Sequence, residues 1–203
     1  MPKMKRYRLI LKEEVVRSKN WRMLLTSTGF DNTKFARLTK QILTRRKSIS
    51  NCKVLFIPTA DRQKESISAC LKEIIDLGIT KDNIVFNNCN PDKLDDTKYD
   101  MIYVTGGDEN YLIDRINNSG FRKPLLDMIN SGVLFVGVSA GSYICGKMVD
   151  RPNKSLGLFD YIIEPHQNIT HSKNGKVIPD KGFVNISDNQ AVLVLDGKVE
   201  VIE

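Results

Sequence analysis

Five short runs of β-branched and aromatic residues recur through the first two thirds of the chain, each followed by a stretch with helical spacing, and this alternation restricts the fold most. The runs are 23–27 (MLLTS), 53–58 (KVLFIP), 83–87 (NIVFN), 100–105 (DMIYVT) and 133–138 (VLFVGV), with helices expected at about 32–47, 62–77, 109–118, 122–131 and 140–148. Such a pattern predicts an α/β domain on a mainly parallel sheet. After residue 150 the pattern gives way to shorter strands near 159–164, 184–186, 191–195 and 198–202, the last two joined by the hairpin-turn pair Asp196-Gly197. With 203 residues and no internal repeat, one domain over 23–203 is expected.

The net charge of +7 raises the question of a polyanionic partner, and its location answers it. Residues 1–22 hold eight Lys/Arg against two Asp/Glu, so the body of the protein is almost neutral. The leader has neither aromatic interleaving nor an amphipathic period, so it is expected to be a solvated basic extension. A nucleic-acid role for it is the weaker reading, and nucleic acid is not expected as a partner. No apolar run approaches the roughly 18 to 20 residues of a membrane span, and no signal-peptide core is present, so no membrane partner and a cytoplasmic location are expected. Cysteines 52, 70, 89 and 145 form no C-x-x-C pair or His/Cys cluster, which fits reduced thiols better than a disulfide frame or a metal site.

In parallel sheets of this kind the ligand site gathers at the carboxyl ends of the strands. Those ends carry Thr26-Ser27-Thr28-Gly29, Pro58-Thr59-Ala60-Asp61, Thr105-Gly106-Gly107-Asp108 and Gly137-Val138-Ser139, four polar or glycine-rich loops that should face one another. Gly137-Val138-Ser139-Ala140-Gly141 has the G-x-S-x-G form of a nucleophile elbow, in which glycines on either side clear the space around a strained serine. A tight packing turn would also explain it. If Ser139 is the nucleophile, the Ala140 amide at the helix start becomes an oxyanion donor, and the Gly106-Gly107 loop could supply the second. Neither G-x-G-x-x-G nor G-K-[ST] occurs, so a nucleotide or other cofactor has no support.

A serine hydroxyl needs a base, and the chain has only His166 and His171. His166 follows Pro165 and a strand-like Tyr161-Ile162-Ile163-Glu164, an anchored position that suits a general base, whereas His171 lies in a polar loop and reads as solvated. The group that orients the imidazole could be Asp188, Glu164 or Asp180, and a turn or capping role accounts for Asp188 equally well from spacing. The order Ser, His, Asp differs from the Ser, Asp, His order of α/β-hydrolases.

The segments LLTSTGF, VLFIPTA, IYVTGGDENYLI, GVSAGS, EPH and ISDNQAVLVLDGK, in that order from Met23 onward, resemble the dipeptidase E (aspartyl dipeptidase) and cyanophycinase family of serine peptidases. The resemblance implies a three-layer α/β/α, flavodoxin-like fold similar to class I glutamine amidotransferases, with a C-terminal β-hairpin. It also implies Ser139 as nucleophile, His166 as base, Asp188 as the acidic third member and the Gly107 and Ala140 amides as oxyanion hole, with no metal or cofactor. A small peptide is the implied substrate and a monomer or homodimer the expected state. Gly106, Asp108 and Glu109, in the loop that reads G-G-N-T in the family, are assigned to substrate binding. The two carboxylates there, and the lack of Arg after His166 in QNITHSKNGKVIPDKG, depart from the aspartyl dipeptidase pattern and leave the substrate open. They also motivate an alternative, a non-catalytic small-ligand-binding or regulatory member of the same fold.

Overall fold

The computed structural model describes residues 4–9, 20–45, 47–95, 97–149, 151, 154–167, 172–173, 176–177 and 182–203. The strands are β1 (Arg6–Leu9), β2 (Arg22–Thr26), β3 (Val54–Ile57), β4 (Ile84–Phe86), β5 (Met101–Val104), β6 (Leu134–Val138), β7 (Ile162–Glu164), β8 (Ser172–Lys173), β9 (Lys176–Val177), β10 (Phe183–Asn185), β11 (Ala191–Leu195) and β12 (Lys198–Ile202). The helices are α1 (Thr33–Leu43), α2 (Lys64–Asp76), α3 (Glu109–Asn118), α4 (Arg122–Asn130) and α5 (Ala140–Tyr143).

Among the described residues, ten strands form one sheet in the order β4-β3-β5-β6-β2-β11-β12-β1-β9-β8, while β7 and β10 pair in a small parallel sheet of their own. The five strands from β4 to β2 are mutually parallel. Counted from β3, the order β4-β3-β5-β6 is the 2-1-3-4 of flavodoxin-like sheets, and the fifth place is taken by β2 from the beginning of the fold. The antiparallel hairpin β11–β12 then extends the sheet, turning at Asp196 and Gly197, both at positive φ (52° and 73°) as a type I′ turn requires.

Strands β2, β3, β5 and β6 are almost wholly buried, as parallel strands covered on both faces must be. Their residues alternate between two cores. Met23, Leu25, Leu55, Ile57, Ile102, Val104 and Phe135 face α3, α4 and α5, while Leu24, Val54, Phe56, Tyr103 and Val136 face α1 and α2. This is the expected three-layer sandwich. Helix α1 buries Phe35, Leu38, Thr39, Ile42 and Leu43, one stripe at helical spacing, and starts where the Asn32 side chain accepts the Lys34 N–H at 3.0 Å.

Two expectations are corrected. The basic leader is not wholly a solvated extension: β1 pairs antiparallel with β12 and parallel with β9. Arg6 and Arg8 point outward while Leu9 is buried and Tyr7 half-buried, a period-two pattern hidden by its shortness and charge. The cations are matched to acids of the last strand, Arg6 to Glu200 at 2.9 Å and Lys5 to Glu203 at 3.0 Å. The helix expected over 140–148 stops at Tyr143. Gly146 lies so close to the chain entering β7 that a Cβ there would sit 2.2 Å from the Tyr161 carbonyl oxygen, and that oxygen accepts the Lys147 N–H at 2.8 Å. Tertiary contact therefore takes over the backbone that a longer helix would use.

Deleting residues 1–9 uncovers the edge of β12 and exposes the surface that Leu9 covers. Loss of one buried leucine costs about 2 kcal/mol, which lowers the melting temperature by roughly 4–8 °C in a domain of this size. Thermal unfolding with light scattering should show that shift together with increased self-association through the bared edge.

Candidate active site

The loops after β2, β3, β5 and β6 meet at the carboxyl ends of the parallel strands. A Cβ on Gly106 would lie 3.1 Å from the Ser139 Cβ, and one on Gly107 would lie 2.1 Å from the Ala60 carbonyl oxygen. Gly107 also has φ +127°, a region that side-chain-bearing residues rarely enter, so both conformation and space call for glycine there. Its neighbours tie the loop to the end of β3, with Thr105 N–H on Ile57 O at 3.1 Å and Asp108 N–H on Ala60 O at 2.9 Å. Asp108 caps α3 by accepting the Tyr111 N–H at 2.8 Å, which commits one oxygen of a carboxylate assigned above to substrate binding. Glu109 opens the first turn of α3.

Ser139 stands between β6 and α5 with φ 47° and ψ −108°, the strained geometry of an elbow, which costs about 1–3 kcal/mol. Several contacts hold it. Ser139 N–H donates to Thr26 O at 2.9 Å, and the buried Ser142 hydroxyl lies 2.8 Å from both Thr26 O and Gly137 O. Gly137 must be glycine because a Cβ would meet the Gly141 carbonyl oxygen at 2.6 Å. Ala140 is the first residue of α5, so its N–H has no acceptor within the helix.

His166 lies just past β7 and Asp188 just past β10, so the parallel pairing of those strands delivers both to one place. The imidazole Nε2 is 3.1 Å from Ser139 Oγ, and Nδ1 is 2.7 Å from Asp188 Oδ1. With the proton on Nδ1, the ring donates to the carboxylate and leaves Nε2 free to accept the Ser139 hydroxyl. Both side chains are about half exposed, at 49% and 62%, so the group is open to solvent. Of the three rival acids, Asp188 is the one on the imidazole; Asp180 and His171 lie outside the described residues. Burial raises the Glu164 carboxyl above its ordinary range, and the Glu109 carboxylate adds to the rise.

Residues that the sequence left unassigned complete the surroundings. Ser27 and Thr28 bond to the segments bearing His166 and Asp188. Their only signal in the sequence was their place at a strand end. Behind them Glu73, from α2, accepts from Tyr103 OH at 2.7 Å and Phe30 N–H at 2.9 Å, holding the loop after β2 from below. Burial raises the Glu73 carboxyl, with these two hydrogen bonds only partly opposing it. Among the described residues no three His, Cys, Asp or Glu side chains converge as metal ligands, and no helix is long and apolar enough to cross a membrane. A cleft at the opposite ends of the strands, lined by Arg22, Tyr99, Asp100 and Gly132 among others, contains none of the candidate site residues.

Two outcomes follow from this geometry. Gly107→Ala must push its methyl into the β3 loop from a disfavoured φ, so it should lose about 1–3 kcal/mol in urea denaturation. For Glu73, a folded pKa above the unfolded one means the native state binds the extra proton. Its favourable contribution is complete below the unfolded pKa and lost as pH rises through the folded value. The stability of the protein relative to its Glu73→Gln variant should therefore be greatest in acid and fall as the pH rises above the ordinary carboxylate range, read from denaturation midpoints.

The model for peptidase family S51 matches residues 23–202 of the chain. An uncharacterized peptidase of Listeria innocua is 30% identical over 171 residues, spanning 72% of this chain and 82% of that protein. One of Pasteurella multocida is 25% identical over 138 residues, or 59% and 67% of the two chains. Among solved structures, a Listeria monocytogenes protein provisionally named as a peptidase E superposes with a TM-score of 0.66 at 22% identity, covering 89% of this chain and 97% of that one. A peptidase from an acI-B1 actinobacterium gives 0.62 at 19% identity, covering 86% and 83%. Both share the fold.

Proposed function

The chain belongs to peptidase family S51, and from that premise we propose that it is a serine peptidase or amide hydrolase that cleaves small peptides through an acyl-enzyme. Ser139 is the nucleophile, His166 the general base and acid, and Asp188 the group that orients the imidazole. The observation that carries this reading is the single imidazole bridging Ser139 Oγ at 3.1 Å and Asp188 Oδ1 at 2.7 Å.

The reaction begins as Nε2 of His166 takes the Ser139 proton while Oγ bonds to the scissile carbonyl carbon. The carbonyl oxygen becomes an oxyanion, which the Gly107 and Ala140 amides hold. The imidazolium, stabilised by Asp188, protonates the leaving amine as the C–N bond breaks. Water then enters, gives a proton to Nε2 and attacks the ester, and the returning proton restores Ser139 Oγ. The strain at Ser139 keeps its hydroxyl presented to the substrate without further movement.

Asp108 is engaged in capping, so one carboxylate oxygen of the loop that reads G-G-N-T in the family is already committed. Glu109 follows Gly107 by two residues and Glu164 precedes His166 by two, and the Glu109 carboxylate acts on that of Glu164. Acidic groups flanking the site in this way suit a substrate presenting a free ammonium group better than one presenting only carboxylates.

Ser139→Ala and His166→Ala should each lower turnover of a responsive dipeptide on the order of 10⁴-fold or more while leaving the melting temperature within a few degrees. The substrate comes from a dipeptide library assayed with and without N-terminal Asp. A fluorophosphonate should add one covalent adduct at Ser139, seen by intact mass and absent from Ser139→Ala. Well-folded protein that takes no label would instead favour a non-catalytic binding role for the same cleft.

A further inference from the structure

The nucleophile and its two partners come from different sheets. Ser139 belongs to the large sheet through β6, whereas His166 and Asp188 extend from the two-stranded sheet of β7 and β10. Pairing within β7–β10 aligns His166 with Asp188, reinforced by Ile186 N–H on Glu164 O at 3.0 Å and Gln167 N–H on Ile186 O at 3.2 Å. Nothing in that pairing sets the distance from the imidazole to Ser139. A separate joint between the sheets must do so.

Ser27, the first residue beyond β2, occupies that joint. Its side chain is buried, with the residue 2% exposed. The hydroxyl oxygen accepts the His166 backbone N–H at 3.0 Å, and its hydrogen is directed to the carbonyls of Ile186 at 3.1 Å and Ser187 at 3.2 Å, immediately before Asp188. One hydroxyl thus grips the chain next to both the base and the acid. Thr28 adds a bond from its hydroxyl to the Asp188 carbonyl at 3.2 Å. On the other side, the Thr26 carbonyl receives both the Ser139 N–H and the Ser142 hydroxyl. Residues 26–28 therefore touch all three parts of the group, and Ser27 is the member that reaches His166.

The chemistry of the contact restricts the residue. It needs an acceptor towards His166 N–H and a donor towards two carbonyls from one small side chain, which a hydroxyl provides and alanine or glycine cannot. His166 has φ 59°, unusual for a residue with a side chain, and such a conformation persists only when its surroundings enforce it. The bond from its N–H to Ser27 is one such enforcement.

Resting on the hydrolase reading above, we propose that Ser27 is a positioning residue that sets the reach of His166 to Ser139 by cross-linking the β7–β10 sheet to the end of β2. It contacts no reacting atom. Its influence passes through the backbone of His166 and of residues 186–188. Proton transfer depends steeply on geometry, and a displacement of about 1 Å can cost on the order of 10²-fold in rate.

The test follows fluorophosphonate labelling of the full chain with time, by intact mass, for the wild type, Ser27→Ala and Ser27→Thr. Loss of positioning should slow the labelling rate constant of Ser27→Ala roughly 10- to 100-fold while every molecule is eventually labelled. On a dipeptide that the wild type turns over, kcat should fall by a similar factor with KM within about twofold. Ser27→Thr, which retains the hydroxyl, should recover most of the rate. A merely structural role behaves differently, lowering the labelled fraction while the labelled molecules react at the wild-type rate. That result, or wild-type kinetics in Ser27→Ala, overturns the inference. If Ser27→Ala fails to fold, Ser27→Cys, with a weaker donor and acceptor in similar volume, is judged by the same criterion. A wild type that takes no label overturns the hydrolase reading itself and this role with it, a failure distinct from labelling that is indifferent to Ser27.

Discussion

The carbonyl of Thr26 is where the structure turns from architecture into a site. It ends β2, which lies between parallel β6 and antiparallel β11, and it receives both the Ser139 N–H and the Ser142 hydroxyl. Because β2 is buried on both faces, this acceptor cannot shift without breaking the pairing on either side. The strained elbow therefore stands on a closely confined strand end. About 1–3 kcal/mol of backbone strain is tolerable there because the cores on both faces hold the turn in place.

The geometry of the candidate site and that of the fold converge through close backbone approaches. The loop of Gly107 packs against Ala60, and Gly137 packs against the start of α5, at distances that admit no side chain. The first brings the end of β5 towards that of β3, and the second folds α5 back against β6. The polar joint formed by Ser27 then ties on the two-stranded sheet, whose residues could otherwise pack in the same general place without meeting Ser139. Hydrophobic burial is non-directional and brings the layers together, whereas hydrogen bonds set distances to tenths of an ångström.

The main elements were readable from residues 23 to 138 because continuous apolar runs mark strands buried on both faces, and helical stripes such as Phe35, Leu38 and Ile42 mark the covering helices. The short β1 was not, since four residues with two arginines give too little alternation to outweigh a charged setting. Helix α5 was overestimated because a carbonyl from Tyr161, eighteen positions downstream of Tyr143, claims the following backbone. Ser139 and His166 were legible as candidates from the elbow pattern and from the scarcity of histidine. Asp188 was not separable from Glu164 or Asp180 by spacing, because which acid meets the imidazole depends on the register of β7 against β10.

By itself, the sequence determined the layered α/β architecture, the strand ends at which polar groups collect, and a serine in an elbow with one anchored histidine to serve it. These are local properties, written in periodicity and in glycine spacing over a few residues. Only the tertiary structure decided that β2 fills the fifth place in the sheet, that the leader contributes a strand between β12 and β9, and that Asp188 is the acid on His166. It alone decided that a buried serine after β2 joins the two sheets. Each of these depends on contacts between residues more than a hundred positions apart, or on the register of short strands, and neither leaves a trace in local composition.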